Sequence, residues 1–319
     1  MSISFGVITV LIGLVRIIYK KSIKATKTLS PDDWVIIVAL ALRIPGIVIN
    51  VQGLARHGLG RDVWTLGPEL VTFAQFFFAE EVMYFIELSL IKLALSLFFF
   101  YIFPSKNIRR LLLGTTIFNA LYGGAFVIAA IFQCTPISYF WTKEFTPSNG
   151  HCINLNVFGW VHAAISIVLD VWLIAIPLSQ IPALKLHWKK KVGVIIMFLV
   201  GTFVTIVSIL RLQSLITFAN SHNPTWDHYE VIYWSTIEIN VGIICCCLPA
   251  MRPLLVRLIP GLGSGTNNAK SNMEDYSGGS QEQSKNNLSM NKEQYMLSNS
   301  QSSKSRLRRG SDTESVWRD

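Results

Sequence analysis

Long apolar runs separated by short polar connections make up the first 258 residues of the chain. A helix needs about 20 mostly apolar residues to cross a bilayer, and seven runs approach or exceed that length. They cover residues 3–19, 34–54, 80–103, 111–133, 157–181, 192–218 and 231–251. The pattern predicts an all-α, polytopic membrane protein in which residues 1–258 form a seven-transmembrane-helix bundle.

The remaining residues have a different character. They are rich in Ser, Asn, Gln and Lys and contain few large apolar side chains. Such a segment cannot bury enough apolar surface to offset its ordering entropy, so residues 259–319 are predicted to form a disordered tail. Arg-Arg-Gly-Ser within the tail suits kinases that read basic residues, which makes Ser311 a candidate phosphorylation site.

The first apolar run is the least regular, because Arg16 interrupts it and Lys20 and Lys21 follow it. A secretory signal peptide carries its positive charges ahead of the apolar stretch. This run therefore predicts a membrane span, and a helix lying in the membrane interface is the alternative.

Composition excludes several classes of protein. The chain is 51% hydrophobic and only 15% charged, whereas soluble domains carry about 25% charged residues. The net charge of +9 is explained by basic loops and a basic tail, so the lipid bilayer, and not nucleic acid, is the expected partner. No zinc-protease motif, Walker loop or serine-hydrolase elbow is present, so we expect no enzymatic activity, no cofactor and no metal.

Lysine and arginine are distributed unevenly between the two sides of the predicted bundle. Loops on one side carry Lys20, Lys21, Lys24, Lys27, Lys106, Arg109, Arg110, Lys185, Lys189, Lys190 and Lys191, and loops on the other carry Arg56, Arg61 and Lys143. Because basic loops stay in the cytoplasm, the N-terminus is predicted to lie outside and the C-terminus inside. The expected location is the plasma membrane.

The five cysteines fall into two groups. Cys134 and Cys152 share one predicted external loop, and an oxidising compartment favours a disulfide between them. Cys245, Cys246 and Cys247 are consecutive and near the predicted inner face. They are interpreted as small packing residues, with palmitoylation as the alternative.

A glycine-rich loop follows the second span. His57 lies beside Gly58 and Gly60, but a lone histidine without a second ligand is poor evidence for a metal site. The loop therefore predicts a glycine turn.

Charged residues inside the spans are the most informative chemistry, because such residues normally face a protein interior or a cavity. Glu87, Arg211 and Glu238 lie about seven residues from the outer ends of their spans, or roughly 10 Å at 1.5 Å per residue. Arg43, Lys92 and Asp170 lie about 11 to 13 residues deep, near the midplane. The equal depths predict one cluster of Glu87, Arg211 and Glu238, with Asn240 beside it in the last span. This cluster is either a ligand pocket or a closed salt-bridge network.

Five motifs, in this order, resemble the fungal rhodopsin-domain integral membrane family, which includes the Pth-eleven-like G-protein-coupled receptors of filamentous ascomycetes. They are HGLGRDVW after the second span, KLALSLFFFYIFP in the third, CTPISYFW after the fourth, DVWLIAIPLSQIPAL in the fifth and EINVGIICCCLPAMRP in the seventh. The resemblance covers residues 30–258 and implies a receptor-like seven-helix protein without an established ligand. Family positions present here are Gly58, Gly60, Trp64, Lys92, Cys134, Pro136, Trp141, Cys152, Asp170, Pro177, Arg211, Glu238, Asn240, Pro249, Arg252 and Pro253.

The chain departs from the family pattern in two places. Tyr101 stands where many members carry an arginine before Ile-Phe-Pro, which weakens the case for coupling to a partner there. No cysteine-rich segment precedes the first span.

The family name does not imply a retinal chromophore here. Retinal proteins hold the chromophore on a lysine of the last helix, and residues 231–251 contain no lysine. The sole lysine at membrane depth is Lys92, in the third span. A light-driven pump or photoreceptor is therefore excluded.

Three functions agree with these features. The first is a receptor that senses an extracellular small ligand and signals through a heterotrimeric G protein or another cytoplasmic partner. The second is a transporter of a small polar or anionic solute, although the internal repeats common in transporters are not evident. The third is a structural membrane partner.

The topology can be tested with an epitope tag at each end of the chain. Because the basic loops should face the cytoplasm, we expect antibody to reach a tag at Met1 in intact cells. A tag at Asp319 should become accessible only after permeabilisation. Both tags on the same side would contradict seven spans and leave residues 3–19 outside the bilayer core.

Overall fold

The computed structural model describes residues 2–23, 30–67, 69–103, 105–143, 150–180, 188–219 and 223–258. Within these ranges the helices are α1 (Ser2–Ile23), α2 (Pro31–Val48), α3 (Glu69–Ile102), α4 (Lys106–Ile131), α5 (Tyr139–Thr142), α6 (Leu155–Gln180), α7 (Trp188–Ala219) and α8 (Pro224–Leu258). The strands are β1 (Cys134–Thr135) and β2 (His151–Cys152). The chain divides into a compact unit of residues 1–255 and a second unit of residues 256–319, of which residues 256–258 are described.

Seven segments of the described chain are long and apolar enough to cross a membrane. They are Ser2–Ser22, Pro31–Leu54, Glu69–Ile102, Lys106–Ile131, Leu155–Gln180, Phe198–Phe218 and Thr225–Pro249. This confirms the predicted all-α bundle with seven spans. The predicted tail of residues 259–319, including Ser311, lies outside the described residues.

The main difference in helix bounds is at α3, which begins at Glu69 and not near residue 80. The third predicted span covers residues 80–103 and so begins at the two adjacent acids Glu80 and Glu81. The structure instead begins the helix before them, because Phe77 and Phe73 pack inward one and two turns ahead of Glu80. α3 packs against α2 and α4, and α6 packs against α7.

Helix α2 carries two irregularities that place polar groups inside the bundle. It begins with Pro31 after Ser30, whose N–H donates to the Asp33 carboxylate at 3.2 Å. Pro45 lies within it and removes one helical N–H donor. A π-helical turn, Ile49–Leu54, then extends the helix. Such turns are frequent at functional positions, and here the turn contains the buried Asn50.

One end of the bundle is closed by the two strands. β1 and β2 pair antiparallel with Cys134 opposite Cys152, and the two cysteines form the predicted disulfide. We call this the disulfide end. The opposite end, where α1 finishes with Lys20 and Lys21, is called the basic end.

The loop after α2 is the glycine turn that the sequence predicts. Gly58 has φ +121° and Gly60 has φ +75°, and side chains other than glycine rarely adopt this region. The Gly60 N–H donates to the Thr225 carbonyl at 3.1 Å, which ties the loop to the start of α8. The His57 ring stacks on Phe76 with centroids 5.7 Å apart.

The largest apolar cluster lies among α2, α3 and α8 and includes Leu40, Leu88 and Ile243. Cys246 and Cys247 belong to this cluster, and Cys245 is also buried. Their burial agrees with the packing role inferred for the three cysteines. Outward positions on several helices carry exposed apolar side chains, such as Leu11, Leu121 and Val168, as expected for a lipid-facing surface.

Loss of the disulfide should destabilise the bundle. Cys134→Ser with Cys152→Ser removes a link across 18 residues, and closing a loop of about this size contributes about 3 kcal/mol. We expect the double variant to melt at a lower temperature in detergent. A reductant should lower the melting temperature of the wild type but leave the double variant unchanged, because the other three cysteines are free and buried. Equal melting temperatures for wild type and variant would contradict this role.

Candidate functional site

A cavity of 460 Å³ lies at the disulfide end among α3, α6, α7 and α8. Cavities of this size accommodate small molecules. Aromatic and aliphatic side chains form most of its wall, and polar or charged side chains form the rest. The lining includes the apolar aromatic residues Phe73, Phe77, Phe85, Phe140, Trp141 and Phe218. Its polar residues are Glu80, Glu81, Tyr84, Lys143, Asn156, Arg211, Thr225, His228, Ser235 and Thr236.

The early start of α3 creates this cavity. Phe73, Phe77, Glu80 and Tyr84 are three to four residues apart, so they lie on one face of the helix. Along α8, His228, Ile232, Ser235 and Ile239 follow the same spacing and line the opposite wall. The turn of residues 63–65 and helix α5 supply further lining side chains at the disulfide end, including Val63 and Phe140.

Arg211 on α7 lies in this wall and is only 6% exposed. Its Nε donates to Ser235 Oγ at 2.9 Å and lies 3.9 Å from Glu238 Oε2. Its guanidinium carbon lies 3.9 Å from the centroid of the Tyr84 ring, within range of a cation–π contact. These contacts hold the guanidinium across the gap between α3, α7 and α8.

A polar chain leads from Arg211 away from the cavity. Glu238 accepts hydrogen bonds from Tyr84 Oη at 2.7 Å and from Ser208 Oγ at 2.6 Å. Ser208 Oγ also lies 3.1 Å from Asp170 Oδ2. One serine hydroxyl carries one proton, so Ser208, which also lies 3.1 Å from the Val204 carbonyl, donates to one of these acceptors at a time.

The polar chain that begins at Arg211 ends at an ion pair between Lys92 and Asp170. Lys92 Nζ also donates to the carbonyl of Ser166 at 3.0 Å, and both charged side chains are buried. The pair joins α3 to α6. Lys92 is therefore held by a carboxylate on a neighbouring helix, and α8 contains no lysine.

The predicted cluster is correct in one pair and wrong in another. Arg211 does lie beside Glu238, but Glu87 pairs with Arg43 at 3.3 Å and not with Arg211. Two reasons account for the error. The depth of Glu87 was counted from residue 80, whereas α3 begins at Glu69. Equal depth also leaves open which side of the helix a residue occupies, and Glu87 faces α2.

Asn240 is not part of the Arg211 group either. It donates to the carbonyl of Thr236 at 2.7 Å, and its Oδ1 is buried without a hydrogen-bond partner among the described residues. Residues two apart on a helix point in nearly opposite directions. Glu238 therefore faces α3 and α7, and Asn240 faces away from them.

Two polar groups were not anticipated. At the basic end, Arg16 Nη2 contacts Asp32 at 2.6 Å and Asp33 at 3.0 Å, and Lys20 Nζ contacts Asp33 at 2.6 Å. The signal was present, since Arg16 and Lys20 lie one turn apart and face two acids across a short loop. Glu80 and Glu81 line the cavity, and the only sequence signal for them is that the predicted span of residues 80–103 begins at this pair of acids.

A bundle of seven apolar helices around a buried polar chain defines an integral membrane protein with an internal cavity. The fungal rhodopsin domain matches residues 15–257, and the chain belongs to this family. Within the described residues, no group of three His, Cys, Asp or Glu side chains could hold a metal ion.

The chain is similar to several fungal proteins. It is 29% identical to a SAT4 family membrane protein of Emericella nidulans over 70% of this chain and 58% of the relative. It is 29% identical to the polyenoic acids biosynthesis gene cluster protein Ba17b of Metarhizium anisopliae over 77% of this chain and 70% of the relative. It is 28% identical to Receptor GIN3 of Arthrobotrys oligospora over 56% of this chain and 43% of the relative. No solved structure matches the chain.

The Arg43–Glu87 pair provides a test of the network. Arg43→Met strands the buried Glu87 carboxylate, and breaking such a pair costs about 3 kcal/mol or more. The double variant Arg43→Met with Glu87→Leu leaves no stranded charge, so we expect it to be more stable than the single variant in thermal unfolding. If the two single-site effects simply add, the side chains do not act as a pair.

Proposed function

We propose that the protein is a receptor that binds a small extracellular molecule in the cavity and signals at the basic end. The observation that carries this proposal is the cavity of 460 Å³ joined to a buried polar chain. The relative named Receptor GIN3 supports the same class.

The proposed location is the plasma membrane, and the proposed orientation has the disulfide end facing the outside of the cell. A disulfide persists in oxidising compartments, and Cys134 and Cys152 are linked at this end. The described basic residues Lys20, Lys21 and Arg109 belong to the basic end, which the positive-inside rule assigns to the cytoplasm. Lys24, Lys27 and Lys185 agree in sequence but lie outside the described residues.

The polar chain provides a route by which ligand binding changes helix packing. A ligand that draws Arg211 toward the cavity weakens its contact with Glu238, which now spans 3.9 Å. Glu238 shares Ser208 with Asp170, and Asp170 holds Lys92. The contacts between α3, α6, α7 and α8 therefore depend on one another. Such a network shifts between arrangements only as far as the ligand binds them with different affinity.

The receptor proposal is tested by co-purification of Gα with the full-length protein. Asp170→Asn removes a charge that holds α3 to α6, and loosening this contact imitates the effect proposed for the ligand. We therefore expect the variant to raise nucleotide-sensitive Gα recovery at least about fivefold, a typical coupling effect. Thr202→Ala serves as the control, because Thr202 is half-buried and its hydroxyl donates to the Phe198 carbonyl of the same helix. Absence of Gα from wild type and variant at equal surface level would overturn the proposal.

A transporter is the second candidate, and a small cavity of 50 Å³ favours it. This cavity lies next to Glu238 and is also lined by Lys92 and Asp170, so polar groups continue past the floor of the larger cavity. Uptake of labelled carboxylates or amino acids into vesicles containing the purified protein, without Gα recovery, would favour transport over signalling.

A further inference from the structure

We propose that the cavity binds a zwitterionic small molecule of the amino-acid type with an aromatic body, its carboxylate on Arg211 and its ammonium group on Glu81. This inference deepens the receptor proposal by naming a ligand class. Binding and signalling are measured separately, so that either can fail without the other.

Arg211 supplies the anion-binding group. Its Nε is used by Ser235, but among the described residues neither terminal nitrogen has a hydrogen-bond partner. Neither terminal nitrogen is among the fully buried atoms without a partner. Arg211 as a whole is only 6% exposed, and it lines the cavity. A guanidinium with both terminal nitrogens available binds a carboxylate through two parallel hydrogen bonds. Tyr84 and Ser235 fix the plane in which that carboxylate must approach.

Glu81 supplies the opposite charge in the same cavity. Its Oε2 accepts a hydrogen bond from Gln133 Nε2 at 2.9 Å, and its Oε1 has no hydrogen-bond partner in the described part of the chain. Glu81 precedes Tyr84, on which Arg211 stacks, by three residues, so it lies roughly 4.5 Å nearer the disulfide end along α3. A cationic group next to a bound carboxylate would therefore meet Glu81.

Glu80 does not compete for that cation. Its carboxylate contacts Asn50 Nδ2 at 3.5 Å, and its Oε2 is buried with no hydrogen-bond partner among the described residues. That oxygen is sealed off from the cavity, whereas Glu81 Oε1 is not. The two neighbouring acids thus differ in access to a ligand.

The walls select the rest of the molecule. Phe77 and His228 meet edge to face with centroids 4.1 Å apart, and Phe218 and His228 are also 4.1 Å apart. Phe140 stacks on Phe77 at 6.4 Å. Aromatic rings favour offset or edge-to-face partners, so a planar apolar body fits this lining.

A ligand with a single charge would satisfy only half of the site. A simple carboxylic acid would leave the Glu81 oxygen desolvated and unpartnered, and a simple amine would leave Arg211 in that state. Leaving a buried polar group without a partner is unfavourable, and a zwitterion avoids both penalties. Each missing charge should therefore lower affinity about tenfold, since tenfold corresponds to about 1.4 kcal/mol.

The test uses the full-length protein in lipid nanodiscs and calorimetric binding. The probes are phenylalanine and tryptophan, with the matched acids phenylpropionate and indole-3-propionate and the matched amines phenethylamine and tryptamine. At least one amino acid should bind about tenfold more tightly than its matched acid and its matched amine. Arg211→Gln should abolish the advantage over the amine, and Glu81→Gln the advantage over the acid. Glu69→Gln, an exposed acid at the start of α3, should change neither.

Two outcomes would overturn the inference: no binding of either amino acid at millimolar concentration, or equal affinity for an amino acid and one of its single-charge analogues. The analogue comparison needs only the wild type, so it decides the matter even if Arg211→Gln does not fold. Amino-acid binding that leaves Gα recovery unchanged would support this site and count against the receptor proposal. Gα coupling without amino-acid binding would do the reverse.

Discussion

A charge in the interior of a membrane protein must have a partner, and this requirement organises the bundle. Apolar side chains gain little by leaving lipid for a protein core, so helix association depends on packing and on polar contacts. In the described chain, ion pairs join neighbouring helices: α1 to α2 through Arg16 and Asp32, α2 to α3 through Arg43 and Glu87, α3 to α6 through Lys92 and Asp170, and α7 to α8 through Arg211 and Glu238. Each pair selects which helices are neighbours and at what height they meet.

The buried charged residues differ in whether they line the cavity. The Arg43–Glu87 pair is buried and lines neither the 460 Å³ cavity nor the 50 Å³ cavity, which suits a structural role. Arg211 and Glu81 line the cavity and keep hydrogen-bonding atoms that no described residue occupies. Arg43 Nε and Glu87 Oε1 also lack a hydrogen-bond partner among the described residues, but both atoms are buried. The difference between the structural pair and the binding groups therefore lies in whether the unpartnered atoms reach a cavity.

The sequence predicts the number of helices well, because each run of apolar residues must be long enough to cross the bilayer. It also predicts the Cys134–Cys152 disulfide, since these two cysteines share one loop. It predicts the pairing of charges poorly. Depth can be counted along a span, but the direction in which a side chain points depends on packing, as Glu87 and Asn240 show.

The cavity was harder still to foresee. Its aromatic wall begins in residues 69–79, which extend α3 beyond the edge suggested by Glu80 and Glu81. No apolar count alone distinguishes a helix that projects past the membrane from a loop that precedes it. The residues that close the cavity, such as Val63 and Phe140, come from connections between the spans.

The hydroxyl group of Ser208 has a kinetic consequence. It stands within hydrogen-bonding distance of both Asp170 and Glu238, yet its single proton serves one carboxylate at a time. Redirecting that proton takes a rotation about one bond, whereas shifts of packed helices take microseconds to milliseconds. The first event after a disturbance at Arg211 can therefore be a change in proton direction, with helix movement following on a much slower timescale.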